Sequence, residues 1–192
     1  MIGALNCFQD ITERKRAEDV VRESQQLLHL VLATLPVGVA VTDRAGDIVL
    51  ANAESKRIWG DMIVSGQERW AQSKGFWHDS GKRIAPSDWA SVRALSEGET
   101  SLNELIDIET FDGQQKTIQN SSAPIRSAEG LIGGTVIVNE DVTERVRVED
   151  ALRKSEERFA AFMDNLPGYA WMKDLEGRYV YVNEMVRGLP GY

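Results

Sequence analysis

The chain has 192 residues, a formal net charge of −8 and a single cysteine. That charge argues against a nucleic-acid or anionic-membrane partner, and one cysteine excludes a disulfide framework and a cysteine-built zinc site. No run of about 18 apolar residues is present, so the segment is expected to make no membrane contact and to sit in a reducing, cytoplasmic setting, with an anchor elsewhere in a parent protein left open.

The chain repeats itself at an offset of 131 residues. Asp10-Ile11-Thr12-Glu13-Arg14 returns as Asp141-Val142-Thr143-Glu144-Arg145, and Leu35-Pro36, Asp43, Gly46 and Asn52 return as Leu166-Pro167, Asp174, Gly177 and Asn183. A gapless repeat of this kind marks one structural unit used in series. The expected divisions are 1–11 as the last strand of a preceding domain, 12–34 as a linker helix, and 35–143 as a complete domain. A signalling linker helix over 144–165 and the start of a following domain over 166–192 complete the set.

In chain order, Asp10 with Glu13 and Asp141 with Glu144 have capping-box spacing at a strand-to-helix joint. Each helix is expected to end before Pro36 or Pro167. The first carries the stripe Ala17, Val21, Ser24, Leu28, Val31, Leu35, and the second Val148, Leu152, Ser155, Phe159, Phe162, Leu166. Alternating steps of four and three follow a heptad seam. The alternative is an amphipathic helix lying on its own domain. The recurrence favours a homodimer paired through the linker helices.

From Val37 the apolar period becomes two. Val39 and Val41, the turn Arg44–Asp47, then Ile48 and Leu50 form a hairpin. Asn52 is placed to cap a short helix over Ala53–Trp59. The stretch Gly60–Asp79 reads as irregular and aromatic. Pro86-Ser87-Asp88 opens a helix through about Leu95, closed by Gly98. Strands are then expected over Leu102–Phe111, Gln115–Ile125 and Leu131–Glu140, joined by turns at Asp112-Gly113 and Glu129-Gly130. The fold class is α+β, a five-stranded antiparallel sheet with helices on one face, flanked by amphipathic coiled-coil-like linker helices. A pocket between sheet and helices is the natural ligand site.

The pattern Leu35-Pro36-Val37-Gly38, Thr42-Asp43-Arg44-Ala45-Gly46-Asp47, Asn52 and the exit Asp141-Val142-Thr143-Glu144 resembles the PAS (PAS/PAC, sensory box) family. Lys173-Asp174-Leu175-Glu176-Gly177 to Asn183 resembles its beginning again. The resemblance implies strand order 2-1-5-4-3 and an exit motif that couples sheet to helix. It also implies adjacent PAS and output domains in the same protein, of the kind found in two-component sensor histidine kinases and their phosphorelays, or less often in cyclic-dinucleotide enzymes.

Asn6-Cys7-Phe8-Gln9 resembles the Asn-Cys core of flavin photoreceptor PAS domains. There the cysteine lies on a mid-domain helix; Cys7 lies in a terminal strand, and 35–143 holds no cysteine, so flavin–thiol photochemistry is rejected. Haem requires an axial ligand, usually histidine. His29 lies on the linker helix and His78 reads as a solvated loop residue rather than a ligand, so haem is disfavoured and the cofactor stays unknown.

Trp59, Trp70, Trp77 and Trp89 fall in the segment that would cover the sheet, either as core or as an aromatic pocket for a small ligand. Ile118, Asn120 and Ser122 alternate onto one strand face. If that face points inward, its buried polar groups need partners. Pocket candidates are therefore Asn52, Trp59, Trp70, Trp77, Trp89, Ile118, Asn120 and Ser122. Signal relay is assigned to Asp141, Thr143, Glu144 and Arg145, and the dimer seam to Val148, Leu152, Ser155, Phe159 and Phe162. Glu104, Asp107 and Glu109 read as solvated carboxylates. No catalytic cluster, phosphate loop or metal site is visible. A signal-input module is the leading reading, and a ligand-free dimerisation spacer the alternative.

Overall fold

The computed structural model describes residues 12–60 and 72–189. The strand expected over 1–11, with Cys7 and the Asp10 cap, and the pocket candidate Trp70 lie outside those residues. The chain divides into two compact units, Met1–Val142 and Thr143–Tyr192.

The first unit begins with α1, Thr12–Thr34. Its charged flanks form local pairs on the exposed surface, Arg14–Glu18 at 2.8 Å and Arg22–Asp19 at 2.6 Å. Such pairs are each worth a few tenths of a kcal/mol, roughly 0.2–0.5. The hairpin follows as β1, Gly38–Asp43, and β2, Ile48–Ala51. The Asp43 carboxylate accepts from the Ala45 and Asp47 amides at 2.8 and 3.0 Å, and Gly46 takes φ 89°, which builds the turn from local chemistry. Then come α2, Ala53–Trp59, and β3, Lys74–Trp77. A 3-10 turn over Pro86–Asp88 leads to α3, Ala90–Ser96. The last strands are β4, Ser101–Glu109; β5, Gln115–Arg126; and β6, Ile132–Asp141.

The strands form one antiparallel sheet in the order β2-β1-β6-β5-β4-β3. The five expected strands keep the expected order, and a sixth, β3, is added at the edge beside β4. It falls in the stretch read as irregular. Four residues are too few for a periodic signal, and Gly75 lacks a side chain for a reason found only in three dimensions. A Cβ there would lie 2.5 Å from the Trp89 indole. The helix expected over Pro86–Leu95 is interrupted at Trp89, which is extended at φ −61°, ψ 131°. That break sends the indole into the core, where Trp89 is 4% exposed.

The core between sheet and helices holds Ile58, Ile84, Trp89, Ile106, Ile108 and Ile118. Burial of each isoleucine stabilises by about 1.5–3 kcal/mol. On the other face of β4, Asp107 faces His78, just past β3, and Glu109 is ion-paired with Lys74 of β3, so neither is simply solvated. His78 Nδ1 lies 3.0 Å from Asp107 and Lys74 Nζ 2.5 Å from Glu109.

The second unit holds α4, Thr143–Asp164; β7, Trp171–Lys173; β8, Tyr179–Val182; and α5, Glu184–Arg187. β7 and β8 form a two-stranded antiparallel sheet. Its turn repeats the first unit's chemistry 131 residues on. Asp174 accepts from the Glu176 and Arg178 amides at 3.0 and 2.9 Å, and Gly177 takes φ 82°. The seam positions Val148, Leu152, Phe159 and Phe162 are exposed. Phe159 makes an edge-on ring contact with Tyr181 at 5.2 Å.

Candidate functional site

A cavity of about 70 Å³ lies between the sheet and the helices of the first unit. Its floor is Ala40 of β1, Asn120 of β5, and Ile137 and Asn139 of β6; its roof is Ser55, Lys56 and Trp59 of α2 with Trp89 and Ser91 around the start of α3. Phe111 and Ser73 close the sides, and Ile48 and Ala51 of β2 close one end. Trp59 stands 6.1 Å from Trp89 and 6.1 Å from Phe111, ring centre to ring centre, so one wall is aromatic.

The pairing register builds the polar part of the floor. Ala40 lies opposite Ile137 across β1–β6, and Asn120 opposite Asn139 across β5–β6. Side chains alternate across a strand, so Ile118, Asn120 and Ser122 all turn inward, and Asn120 is 6% exposed. Asn139 is 3% exposed, and its Oδ1 is buried without a hydrogen-bond partner.

Of the residues singled out from the sequence, Trp59, Trp89 and Asn120 line this cavity. Ile118 belongs to the neighbouring core, and Trp77 packs against that core. Ser122 turns its hydroxyl to the Val136 carbonyl at 3.0 Å. Asn52 lies outside the lining and holds the roof in place. Its Oδ1 accepts from the Val39 and Ser55 amides, both at 2.9 Å, and its Nδ2 donates to the Leu32 and Val37 carbonyls at 3.0 and 2.9 Å. One side chain therefore joins the end of α1, the start of β1 and the start of α2. Asn183 makes the same four bonds in the second unit, to Ala170, Val186, Met163 and Gly168, each partner 131 residues further on.

The far end of α2 is also tied. Gly60 closes the helix at φ 82°, and the Trp59 carbonyl accepts from the Phe111 amide at 2.9 Å. Lys116 Nζ donates to the Arg57 carbonyl at 3.0 Å and lies 3.4 Å from the Asp141 carboxylate. The hydrogen bond from Arg57 is the largest influence on Glu54 and holds its carboxyl below the usual range, against partial desolvation and with help from the Arg57 and Lys116 charges. Asp141 is thus the last residue of β6 with its carboxylate facing an ammonium, and the next amide, Val142, donates to the Thr117 carbonyl at 3.0 Å. Thr143 is the first residue of α4, and Glu144 accepts from Arg147 at 2.8 Å. Arg145 lies in the same first turn.

Asn139 and Lys116 escape a reading of the sequence alone. Asn139 has a faint signal, since Thr135, Ile137 and Asn139 alternate in step, but only the register with β5 shows that it meets Asn120. Lys116 has none, because its two partners lie 59 residues before it and 25 after it.

A protein-family profile described as PAS fold matches residues 32–147, more than half of the chain. The chain belongs to the PAS-fold family of sensory domains. Among solved structures it is similar to an RNA-binding light-oxygen-voltage receptor at 21% identity and a TM-score of 0.51, covering 69% of this chain and 37% of that one. The chain therefore spans well under half of that receptor. It is also similar to a sensory box histidine kinase/response regulator from Burkholderia thailandensis E264, at 22% identity and a TM-score of 0.46 over 69% of this chain and 96% of that one. The PAS domain of BvgS from Bordetella pertussis matches at 20% identity and a TM-score of 0.44, over 71% and 98%. At these identities the likeness shows the fold. No curated protein matches the chain significantly. Among the described residues, no helix is long and apolar enough to cross a membrane, and no three histidine, cysteine, aspartate or glutamate side chains gather as a metal site.

Proposed function

We propose that the first unit is the input domain of a multidomain signal-transduction protein, most simply a two-component sensor histidine kinase on the cytoplasmic side. An occupant of the cavity displaces α2, and α2 passes the change to the exit segment. The observation that carries this reading is the double attachment of Lys116, which holds the end of the cavity's roof and the last residue of β6 with one ammonium. β6 continues directly into α4, so a shift at Asp141 is delivered to a helix by chain connectivity. The upstream tie at Asn52 gives α1 the same access to the roof.

Lys116→Met keeps the aliphatic stem packed and removes both attachments. The Val142 and Thr143 amides are expected to exchange with solvent several-fold faster, while global stability falls by less than about 2 kcal/mol. Unchanged exchange at both amides would remove this route and favour the spacer reading, in which the domain only separates and pairs its neighbours.

The repeated clasp and turn, residue by residue at an offset of 131, support Thr143–Tyr192 as the beginning of a second domain of the same kind. On that reading α4 is the exit helix of one domain and the lead-in helix of the next. The exposed seam of Val148, Leu152, Ser155 and Phe162 supports pairing with a second copy. Sedimentation at high micromolar concentration reads this directly; a monomer there removes the pairing.

A further inference from the structure

We infer that the cavity binds a neutral single-ring lactam, a flat heterocycle whose neighbouring N–H and C=O pair with the Asn139 carboxamide. This rests on the reading of the first unit as a ligand-sensing domain and names the chemistry it senses.

Asn139 carries the inference. It is 3% exposed, it lines the cavity, and its Oδ1 has no hydrogen-bond partner. Buried acceptors in native proteins are nearly always met by protein, water or ligand, because an unmet one costs the full desolvation of the group. A carboxamide sets an acceptor beside a donor. A lactam with its N–H next to its C=O offers the complement. The two groups make a pair of parallel N–H···O bonds whichever way the carboxamide is turned. Asn120, its opposite number in the register, places a second carboxamide on the same floor for a ring substituent.

The rest of the cavity sets the shape and charge. Trp59 and Phe111 on the aromatic wall favour the face of a flat ring. About 70 Å³ is room for roughly five water molecules, the scale of a single ring. Among the described lining residues Lys56 is the one charged side chain, and it is exposed at the rim. Among the described lining residues none compensates a buried cation, which favours an uncharged occupant.

The test is an amide-shift titration of the whole chain with 2-pyridone, N-methyl-2-pyridone and benzene. 2-Pyridone is expected to bind roughly tenfold or more tightly than its N-methyl analogue, the factor set by one buried hydrogen bond, and to move the Asn139 side-chain signals. Asn139→Leu is expected to erase that preference. The same variant should melt at a higher temperature than wild type, since an apolar group of similar shape replaces the unmet acceptor. The wild-type comparison stands without the variant. Equal binding of the three probes overturns the lactam assignment and leaves the sensing reading in place. No binding by any of them overturns the lactam assignment too, and the sensing reading then stands or falls on the exchange measurement for Lys116→Met.

Discussion

Gly134→Ala is expected to bring the first unit to the edge of unfolding. Gly134 lies opposite Asp43 in the β1–β6 pair. A Cβ built on it would stand 2.0 Å from the Thr42 carbonyl oxygen, 3.0 Å from the carbonyl carbon and 3.3 Å from the Asp43 Cα. All three are backbone atoms, so no rotamer change relieves the overlap and the two strands must part. That pair is the joint through which the β1–β2 hairpin attaches to the rest of the sheet. Beside it, the Thr42 and Thr135 hydroxyls share a buried hydrogen bond of 2.9 Å, and the Thr135 amide donates to the Thr42 hydroxyl at 3.2 Å. Parting the strands exposes both. A loss of about 4 kcal/mol or more is expected, against a total stability of about 5–15 kcal/mol for a domain. Urea unfolding followed by circular dichroism measures it. Gly130→Ala is the comparison, because Gly130 has φ 80° but open space around it. That change should cost only about 1–2 kcal/mol. Equal losses at the two glycines would mean that the close approach of β1 and β6 does not hold.

Asn52→Ala is expected to cost roughly 3–5 kcal/mol, the sum of several buried backbone groups left unmet. Alanine abandons the Val39 and Ser55 amides and the Leu32 and Val37 carbonyls together. The side chain is 7% exposed, and the Val39 and Ser55 bonds are buried, so water does not simply take its place. Asn52→Asp keeps the acceptor and loses the two donated bonds, so it should fall between wild type and alanine. The loss has a functional side, because the same atoms join α1 to the roof of the cavity. The Asn52→Ala domain should therefore show faster hydrogen exchange in the last turn of α1 and the first turn of α2 before it does so in β5. Asn183→Ala is the internal control. It removes the equivalent clasp from the second unit, and its effect on exchange should stay within Thr143–Tyr192. A stability change under about 1 kcal/mol for Asn52→Ala would show that the four bonds are individually replaceable by water.

The parts that sequence alone discloses are those whose cause is local. The β1–β2 turn is written in Asp43 and Gly46, which supply an acceptor and a left-handed backbone within five residues. Asn52 is legible as a cap because the acceptor sits at the start of its own helix. β5 is legible because Ile118, Asn120 and Ser122 keep strict alternation. What stays hidden depends on partners distant in sequence. β3 is invisible because its four residues gain strand geometry only by pairing with β4. The break at Trp89 is invisible because nothing local ends the helix; the core draws the indole inward. Trp77 and Trp89 look alike in sequence, yet only Trp89 reaches the cavity. Lys116 reads as one more charged residue at a strand edge, and its two attachments appear only when β5, β6 and α2 are assembled.

The central claim is that the cavity and the exit segment are mechanically joined. It is tested most directly by filling the cavity from within. Ser91→Leu places an apolar side chain into the space from α3, and backbone amide shifts are then compared with wild type. The expected result is a shift at Asp141–Arg145 as well as at the cavity walls, with the exit shift lost when Lys116→Met is added. Shifts confined to α3 and the cavity lining, with Asp141–Arg145 unmoved in a folded protein, would contradict it.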